Sequence, residues 1–218
     1  MPFLPPAFFS RDVLAVAREL VGMELVWEGC SGIIVETEAY TVADDPAAHT
    51  AFKPSARQFV EASDSGTVYV YFNYGMYWMF NLLVKGGERD GMVLIRALEP
   101  VDGLESMQTR RKGHKLENLC SGPGKLVLAL GIDGSHHGVQ MAGPGRRPHC
   151  GFRRPAGAGQ YEVVEDVRVG ISKAAEFPWR FLAKGNAHVS VPFGKVKAMK
   201  RAGLIKKEGG QSGPPLQT

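Results

Sequence analysis

The sequence predicts one domain of mixed α-helical and β-strand structure. The chain has 218 residues, 44% of them hydrophobic and 22% charged, so it is long enough to bury a substantial core. Short strand-like segments bounded by glycine-containing turns predict paired strands. Helical patterns with capping signals lie among these strands. No internal repeat or strong linker divides residues 1–201, and residues 202–218, which end in GGQSGPPLQT, are expected to form a disordered tail.

The first half of the chain predicts a helix followed by two pairs of strands. Ser10 is a candidate helix N-cap, and Gly22 is placed to end that helix. Asn73-Tyr74-Gly75 has the composition of a hairpin turn. The predicted elements are a helix over 11–21, strands near 23–28 and 32–40, a short helix from Asp45-Pro46, and a hairpin of residues 67–72 and 76–84.

The second half predicts fewer and shorter elements. SGPGKLVLALG, residues 121–131, has the chemistry of a turn that feeds a helix, with Gly131 at its end. The other predictions are a strand over 93–100, a helix over about 101–112, and strands near 160–171 and 188–192.

Charge is distributed unevenly along the chain. Residues 1–109 hold 7 Lys and Arg against 15 Asp and Glu, a balance of −8, whereas residues 110–218 hold 19 against 7, a balance of +12. The basic clusters are RRKGHK at 110–115, RRPHCGFRR at 146–154 and KVKAMKR at 195–201. Such clusters suit a polyphosphate partner such as a nucleic acid, although any one of them can equally be a solvated surface loop.

Composition argues against several classes of protein. No apolar run approaches the roughly 20 residues that span a bilayer, and the N-terminal MPFLPPAFF lacks the cationic start of a signal peptide. Three widely spaced cysteines argue against a disulfide scaffold and favour a reducing compartment. We expect no metal, because His136, His137, His149 and Cys150 lack recognisable ligand spacing.

Two glutamates in the strand GIIVETEAY are candidate catalytic groups. Alternation places Ile34, Glu36, Glu38 and Tyr40 on one face of the strand. A carboxylate partly withdrawn from water beside an aromatic side chain can accept a proton. An exposed edge strand with solvated glutamates explains the pattern equally well, and spacing alone does not choose between Glu36 and Glu38.

The hairpin GTVYVYFNYGMYWMFNLL is unusually rich in tyrosine and amide side chains. Alternation separates Tyr69 and Tyr71 from the apolar residues between them and leaves Tyr74 near the turn. An aromatic side chain at a hairpin tip can wedge into a DNA groove, or it can fold back on its own sheet. SGPGK lacks the spacing of a phosphate-binding P-loop, yet its backbone amides and Lys125 can contact one phosphate.

Five segments in order resemble the alkyladenine (3-methylpurine) DNA glycosylase family. They are VETEAY with DDPAAHT, then YVYFNYGMYWMFN, VLIRALEP, LCSGPGKL and PWRFLAKGN, which together span about residues 10 to 192. The resemblance implies a single mixed α/β domain with a curved, largely antiparallel sheet, flanking helices and a protruding hairpin. It also implies catalysis with no metal and no cofactor.

The resemblance assigns roles to individual residues. It implies that Glu38 activates the water that displaces the damaged base, with Arg96 helping to hold that water. Tyr40, Tyr71 and His49 match residues around the flipped base, and Asn81 matches the one that opposes the amino group of guanine. Tyr74 matches the wedge that takes the vacated space in the duplex, and Met76 lies beside it as a further DNA-contacting residue.

The segment between His49 and the hairpin departs from the family pattern. The family often has threonine-proline-arginine-asparagine there, followed by methionine-phenylalanine, whereas this chain has KPSARQFVEASDSG. Ser55 and Arg57 are the residues there that can preserve phosphate contacts.

The sequence therefore predicts a monofunctional, monomeric glycosylase that acts on alkylated purines in double-stranded DNA without contacting membranes. Its expected substrates are 3-methyladenine and 7-methylguanine, with hypoxanthine and ethenoadenine as further candidates. We expect the protein in the cytoplasm of a prokaryote or the nucleus of a eukaryote. The alternatives are a bifunctional glycosylase/lyase that uses Lys125, and a non-catalytic DNA- or RNA-binding module that senses distorted duplex.

Overall fold

Eight strands form one curled antiparallel sheet, and short helices pack against it. The computed structural model describes residues 1–73, 75–155 and 161–196. The strands are β1 Glu24–Trp27, β2 Cys30–Thr41, β3 Val68–Asn73, β4 Tyr77–Val84, β5 Gly91–Asp102, β6 Cys150–Arg153, β7 Val163–Asp166 and β8 Arg180–Ala183. The helices are α1 Pro6–Phe9, α2 Val13–Leu20, α3 His49–Phe52, α4 Pro54–Ala62, α5 Leu104–Arg110, α6 Leu116–Leu119 and α7 Pro123–Leu130, followed by a 3-10 turn at Gly134–His136.

The sheet has the spatial order β3-β4-β5-β2-β1-β6, and β8 pairs with β2 and β7. Each of these strand pairs is antiparallel. The structure thus confirms the predicted single mixed α/β domain with a curved antiparallel sheet.

Alternation along the strands divides the sheet into two faces with different roles. One face carries the apolar residues that β3, β4 and β5 contribute to the main hydrophobic cluster, such as Val70, Phe80 and Ile95. Thr37 of β2 lies on this face, where its hydroxyl donates to the carbonyl of Ala17 in α2 at 2.8 Å. The opposite face carries the polar and aromatic residues of the candidate site, and helix α4 packs there.

Three register shifts interrupt the pairing of the two longest strands, and two of them flank Glu36. The β2–β5 register shifts between Ile34 and Glu36 and again between Glu36 and Thr37. These shifts place Glu36 opposite Ala97 and leave Arg96 without a partner in the ladder. Ile34, which simple alternation puts beside the glutamates, is instead buried in the main hydrophobic cluster. Such bulges often re-aim side chains next to active sites.

The predictions for the central sheet are confirmed, and several outside it are wrong. The hairpin, the strand of VLIRALEP and the helix before Gly131 all form within one or two residues of their predicted positions. Helix α2 begins at Val13 and not at residue 11, because Asp12 caps it by accepting hydrogen bonds from the amides of Leu14 and Ala15. Ser10 follows the unpredicted helix α1 and donates to the carbonyl of Pro6.

Three further corrections concern short elements. No helix begins at Asp45-Pro46, because the Asp45 carboxylate closes a turn to the amide of Ala47 and binds a distant arginine. The helix predicted over residues 101–112 covers only Leu104–Arg110, because β5 runs on to Asp102. The strand near 160–171 shrinks to Val163–Asp166, no strand forms at 188–192, and β6, β8 and α4 were not predicted. The 202–218 tail lies outside the described residues.

The helices of the described part of the chain are all short. Among them, none is both long enough and apolar enough to cross a lipid bilayer.

Candidate active site

Strand pairing places the candidate residues in one row across the sheet. Tyr69 of β3 lies opposite Asn81 of β4, Asn81 opposite Leu94 of β5, and Leu94 opposite Glu38 of β2. Registered partners point to the same face, so Asn81 and Glu38 share a face two strands apart, or roughly 10 Å. Arg180 of β8 extends the row on the other side of Glu38.

Glu38 is fully buried and binds three donors. Its Oε2 accepts the hydroxyl of Tyr40 at 2.8 Å and Nη1 of Arg96 at 3.2 Å. Its Oε1 accepts the backbone amide of Val169 at 2.6 Å. The exposed-edge interpretation of this strand is therefore wrong, because Glu36 and Glu38 both have no solvent-accessible surface.

Glu36 is also fully buried, but it is more heavily bound than Glu38. Its Oε1 accepts Nε of Arg96 at 3.0 Å, Nε of Arg180 at 2.7 Å and the hydroxyl of Ser190 at 2.8 Å. Its Oε2 accepts the amide of Ser190 at 2.6 Å. Burial acts to raise the pKa of Glu36, but Arg96 and Arg180 outweigh it and hold that pKa below its usual 4.5.

Arg96 bridges the two glutamates and stays charged. Burial acts against its charge, but the neighbouring carboxylates of Glu38 and Glu36 raise the pKa of the guanidinium. Burial, together with the negative charge of Glu38, also raises the pKa of Tyr40 well above 10.0, so this hydroxyl remains a hydrogen-bond donor at physiological pH. The two groups therefore present permanent donors to Glu38.

A buried ion pair between Arg168 and Asp45 packs against the ring of Tyr40. The guanidinium carbon of Arg168 lies 4.5 Å from the centre of the Tyr40 ring. Arg168 also donates to both carboxylate oxygens of Asp45, at 2.6 and 2.9 Å, and to the carbonyl of Ala39. Because Val169 follows Arg168 and binds Glu38, one short segment fixes both the carboxylate and the neighbouring aromatic ring.

His49, Tyr69 and Tyr71 form an aromatic group on the same face. The His49 and Tyr71 ring centres are 4.1 Å apart, and Nδ1 of His49 lies 3.2 Å from the Tyr69 hydroxyl. Burial, reinforced by the charge of Lys53, lowers the pKa of His49 to about 4, so the imidazole is neutral at pH 7. Nζ of Lys53 lies 5.3 Å from the centre of the Tyr71 ring.

Asn81 is buried beside this aromatic group. Its side-chain amide donates to the carbonyl of Tyr69 at 3.2 Å, which fixes the side chain against the neighbouring strand. The structure thus brings together the predicted Glu38, Arg96, Tyr40, His49, Tyr71 and Asn81 on one face of the sheet.

The predicted DNA-contacting residues lie at the surface around this face. Met76 is 64% exposed at the hairpin tip, and Ser55 and Arg57 are exposed on α4. Arg57 donates to the carbonyl of Thr50. Lys125 is half-buried and donates to the hydroxyl of Ser121 at 3.0 Å, and burial lowers its pKa. Tyr74 lies outside the described residues.

The histidines considered for a metal have other contacts. His136 packs edge-on against Trp27 and caps the 3-10 turn, and Nδ1 of His137 lies 3.0 Å from the carbonyl of Val70. Across the described ranges, no group of three or more His, Cys, Asp or Glu side chains is arranged to hold a metal ion.

The sequence did not single out Arg168, Arg180 or Lys53 as site residues, and it named Glu36 only as an alternative to Glu38. Arg180 had a visible signal, since it is a lone arginine in the apolar run WRFLA. Lys53 lies in the segment that departs from the family pattern, so its position depends on how α3 and α4 pack. Val169 contributes only its backbone amide, which carries no side-chain signature.

Comparison with known proteins agrees with this arrangement. Residues 7–187 match the methylpurine-DNA glycosylase family. A protein of Rhodopseudomonas palustris (strain HaA2), assigned as a 3-methyladenine DNA glycosylase, is 45% identical over 192 residues, or 88% of this chain and 92% of that protein. Proteins assigned the same way are 43% identical in Nitrobacter winogradskyi, over 87% of this chain and 88% of that protein, and 42% identical in Agrobacterium fabrum, over 88% and 94%.

The fold, the site and these matches define an enzyme of the DNA glycosylase class. Matches at this identity over nearly nine-tenths of the chain do not arise from a shared fold alone. The chain belongs to the methylpurine-DNA glycosylase family.

Proposed function

We propose that the protein is a monofunctional glycosylase that flips alkylated purines out of duplex DNA and hydrolyses the N-glycosidic bond with water activated by Glu38. The expected substrates are 3-methyladenine and 7-methylguanine, with hypoxanthine and ethenoadenine as further candidates. We expect the protein to act on double-stranded DNA as a monomer.

The observation that carries the proposal is the difference between the two buried glutamates. Glu36 is bound by two arginines and by both the amide and the hydroxyl of Ser190, so structural partners neutralise its charge. Glu38 is bound by one guanidinium, which it shares with Glu36, and by two neutral donors. Its Oε1 accepts only the amide of Val169, which leaves an acceptor position for a water that it can orient and deprotonate. Oε2 of Glu36 also accepts a single bond, so the two carboxylates differ in their counter-charges and in the neighbouring Tyr40, not in the number of free acceptor positions.

The surroundings of Glu38 suit a general base in glycosidic hydrolysis. Arg96 and the Tyr40 hydroxyl donate to one carboxylate oxygen and hold the group in a fixed orientation beside the aromatic side chains. An ionised carboxylate also stabilises the oxocarbenium-like transition state that develops on the sugar. Alkylation at a purine nitrogen makes the base a better leaving group, so no metal or cofactor is required.

The aromatic group supplies the binding free energy that offsets base flipping. Extrusion of a nucleotide costs a few kcal/mol, and least for damaged pairs. Stacking on an aromatic side chain contributes about 1–3 kcal/mol per base. We assign Tyr40, Tyr71 and His49 as the walls of the base pocket, and Asn81 as the rigid side chain that opposes the amino group of undamaged guanine.

The hairpin tip suits insertion into the duplex. Phe72, Met76 and Tyr77 are 49%, 64% and 42% exposed there, which is unusual for large apolar side chains grouped on one turn. Apolar wedges at such a tip can occupy the gap that a flipped nucleotide leaves. The assignment of Tyr74 as part of this wedge stays a prediction.

The test is base release from duplex oligonucleotides that each contain one lesion. Wild-type protein should release free 3-methyladenine. Glu38→Gln should lose at least a hundredfold in the single-turnover rate while it retains lesion binding, since general-base catalysis typically contributes 10²- to 10⁴-fold. Glu28→Gln is the control. It removes an exposed carboxylate that forms an ion pair with Arg147, and it should keep the wild-type rate.

Two rival functions give different results in the same assay. A glycosylase/lyase that uses Lys125 would form a covalent DNA adduct on borohydride treatment, whereas we expect none. A non-catalytic module would bind an abasic-site analogue and release no base from any lesion. Wild-type rates in Glu38→Gln would contradict the assignment of Glu38.

A further inference from the structure

Lys53 lies beside the proposed base pocket with its charge close to an aromatic wall. It is the residue between α3 and α4, where its backbone amide donates to the carbonyl of His49 at 2.7 Å. Its ammonium lies 5.3 Å from the centre of the Tyr71 ring, and its charge contributes to the lowered pKa of His49. The lysine is half-buried, so its charge is screened less than that of a surface lysine.

Among the described residues, the charge of Lys53 has no counterion nearby. Within residues 1–73, 75–155 and 161–196, no carboxylate lies within ion-pair distance of its ammonium. Arg168 provides a contrast, because it also lies against an aromatic wall, Tyr40, but binds Asp45 with two hydrogen bonds. Arg168 therefore adds almost no net charge to the pocket, whereas Lys53 adds a full unit.

The remainder of the site carries one excess negative charge. Its ion pairs, one network and the separate pair of Arg168 with Asp45, contain four carboxylates and three guanidiniums. They are Glu36, Glu38, Asp45 and Asp166 with Arg96, Arg168 and Arg180. An excess negative charge attracts a positively charged base, and the charge of Lys53 opposes that attraction.

The candidate substrates fall into two charge classes. Methylation at N3 of adenine or N7 of guanine in DNA gives the base a positive charge. Hypoxanthine and ethenoadenine are neutral. A cation on the pocket wall therefore discriminates between the classes without touching either base.

We propose that Lys53 sets the preference of the pocket between cationic and neutral purine lesions, and that it shifts that preference toward the neutral ones. This proposal rests on the proposed glycosylase function. It assigns a specific effect to the segment KPSARQFVEASDSG, where the chain departs from its family: the segment places an uncompensated cation against the Tyr71 wall.

The test compares one cationic and one neutral lesion in otherwise identical duplexes. Values of kcat/KM are measured for release of 7-methylguanine and of hypoxanthine by wild type, Lys53→Met, Lys53→Glu and Lys53→Arg. The 7-methylguanine-to-hypoxanthine ratio should rise on the order of tenfold in Lys53→Met, the effect of one unit charge several ångströms from the base in a partly buried site. It should rise further in Lys53→Glu and stay at the wild-type value in Lys53→Arg.

The ratio of the two kcat/KM values distinguishes an effect of Lys53 on lesion preference from a simple contact between Lys53 and the DNA backbone. A lysine that only binds phosphate would change both kcat/KM values equally, and an unchanged ratio would overturn the proposal. Arg57→Met is the matched control, because it removes an exposed cation from the adjacent α4 and should leave the ratio unchanged. Absence of base release from both lesions by the wild type would instead contradict the proposed function.

Discussion

Neighbouring residues of the same type have different tasks in this protein. Glu36 and Glu38 are two positions apart and equally buried, yet Glu36 is bound by two arginines and Ser190, whereas Glu38 is bound by one arginine, the hydroxyl of Tyr40 and one backbone amide. A carboxylate neutralised by two guanidiniums stabilises the fold around it. One that shares a single guanidinium keeps more of its charge for a reaction. The difference between structural and reactive carboxylates therefore lies in the donors that surround them.

His49 gives the site a pH dependence of stability that can be measured. Its folded pKa of about 4 lies below the usual 6.5, so between these values the unfolded chain binds a proton that the folded chain does not. Stability must therefore fall as pH drops from about 6.5 toward 4. Allowing for partial exposure, we expect His49 to account for about 1–2 kcal/mol of the loss between pH 7 and pH 5.

Urea denaturation at pH 7 and pH 5 checks this expectation. The loss of unfolding free energy between the two pH values should be smaller in His49→Gln than in the wild type by that amount. His114→Gln changes an exposed histidine and should behave like the wild type. An identical loss in His49→Gln and wild type would show that His49 is not held neutral.

At the scale of secondary-structure elements, two glycines allow the hairpin to pack closely against α7 and the 3-10 turn. A Cβ added at Gly124 in α7 would lie 2.7 Å from Cγ of Tyr77, and one at Gly134 would lie 2.5 Å from the Trp78 ring. The aromatic side chains of β4 therefore lie directly on the backbone of α7 and the 3-10 turn. The turn SGPGK thus supports the hairpin whether or not it also contacts phosphate.

We predict that Gly124→Ala destabilises the protein by about 1–3 kcal/mol, because the new methyl group overpacks against Tyr77. Tyr77→Ala removes the opposing ring, so the double variant should be more stable than the sum of the two single changes predicts. Urea denaturation of the four proteins gives the coupling free energy, expected to exceed about 0.5 kcal/mol. Strict additivity would mean that the two residues do not meet.

The segments that connect the strands also contribute to the site. Arg168 and Val169, between β7 and β8, bind Asp45 in the β2–α3 connection and Glu38 in β2. The ion pair between Arg168 and Asp45 is fully buried. Two loops that are remote in sequence are thereby fixed to each other and to the reactive carboxylate.

At the scale of the whole molecule, the excess of basic residues in the second half is partly neutralised by the first half. Arg147 pairs with Glu28, Arg153 with Glu24 and Arg168 with Asp45. The cluster at residues 146–154 is therefore less positive than its sequence indicates. Of the cluster at 195–201, only Lys195 and Val196 are among the described residues.

This pairing predicts how salt affects DNA binding. The logarithm of the affinity should fall linearly with the logarithm of salt concentration, and each phosphate contact contributes about 0.9 to the slope. Arg57→Gln should reduce the slope by about 1, whereas Arg147→Gln should leave it unchanged because Glu28 already neutralises that side chain. Fluorescence anisotropy with an abasic-site duplex at about 50 to 200 mM salt measures the slopes of both variants and of the wild type. Equal slopes for wild type and Arg57→Gln would remove Arg57 from the DNA interface.

Local patterns in the sequence determined the central strands and the family of this protein. Alternation identified the hairpin and the strand that carries Glu38, because it separates their polar and aromatic side chains from apolar ones, and the apolar run VLIRALEP identified the strand that carries Arg96. The order of the motifs identified the family. Both signals depend on residues close together in the chain, so they can be read without knowledge of the fold.

Only the tertiary structure decided which carboxylate is bound by two arginines, which cations are neutralised and where Lys53 lies. Apart from Tyr40, the donors to Glu36 and Glu38 come from residues between 58 and 154 positions away, and two register shifts aim Arg96 between them. Hydrogen-bond saturation and charge compensation are set by distances of a few ångströms between such remote segments. Sequence spacing does not determine those distances, because they depend on how strands and loops pack.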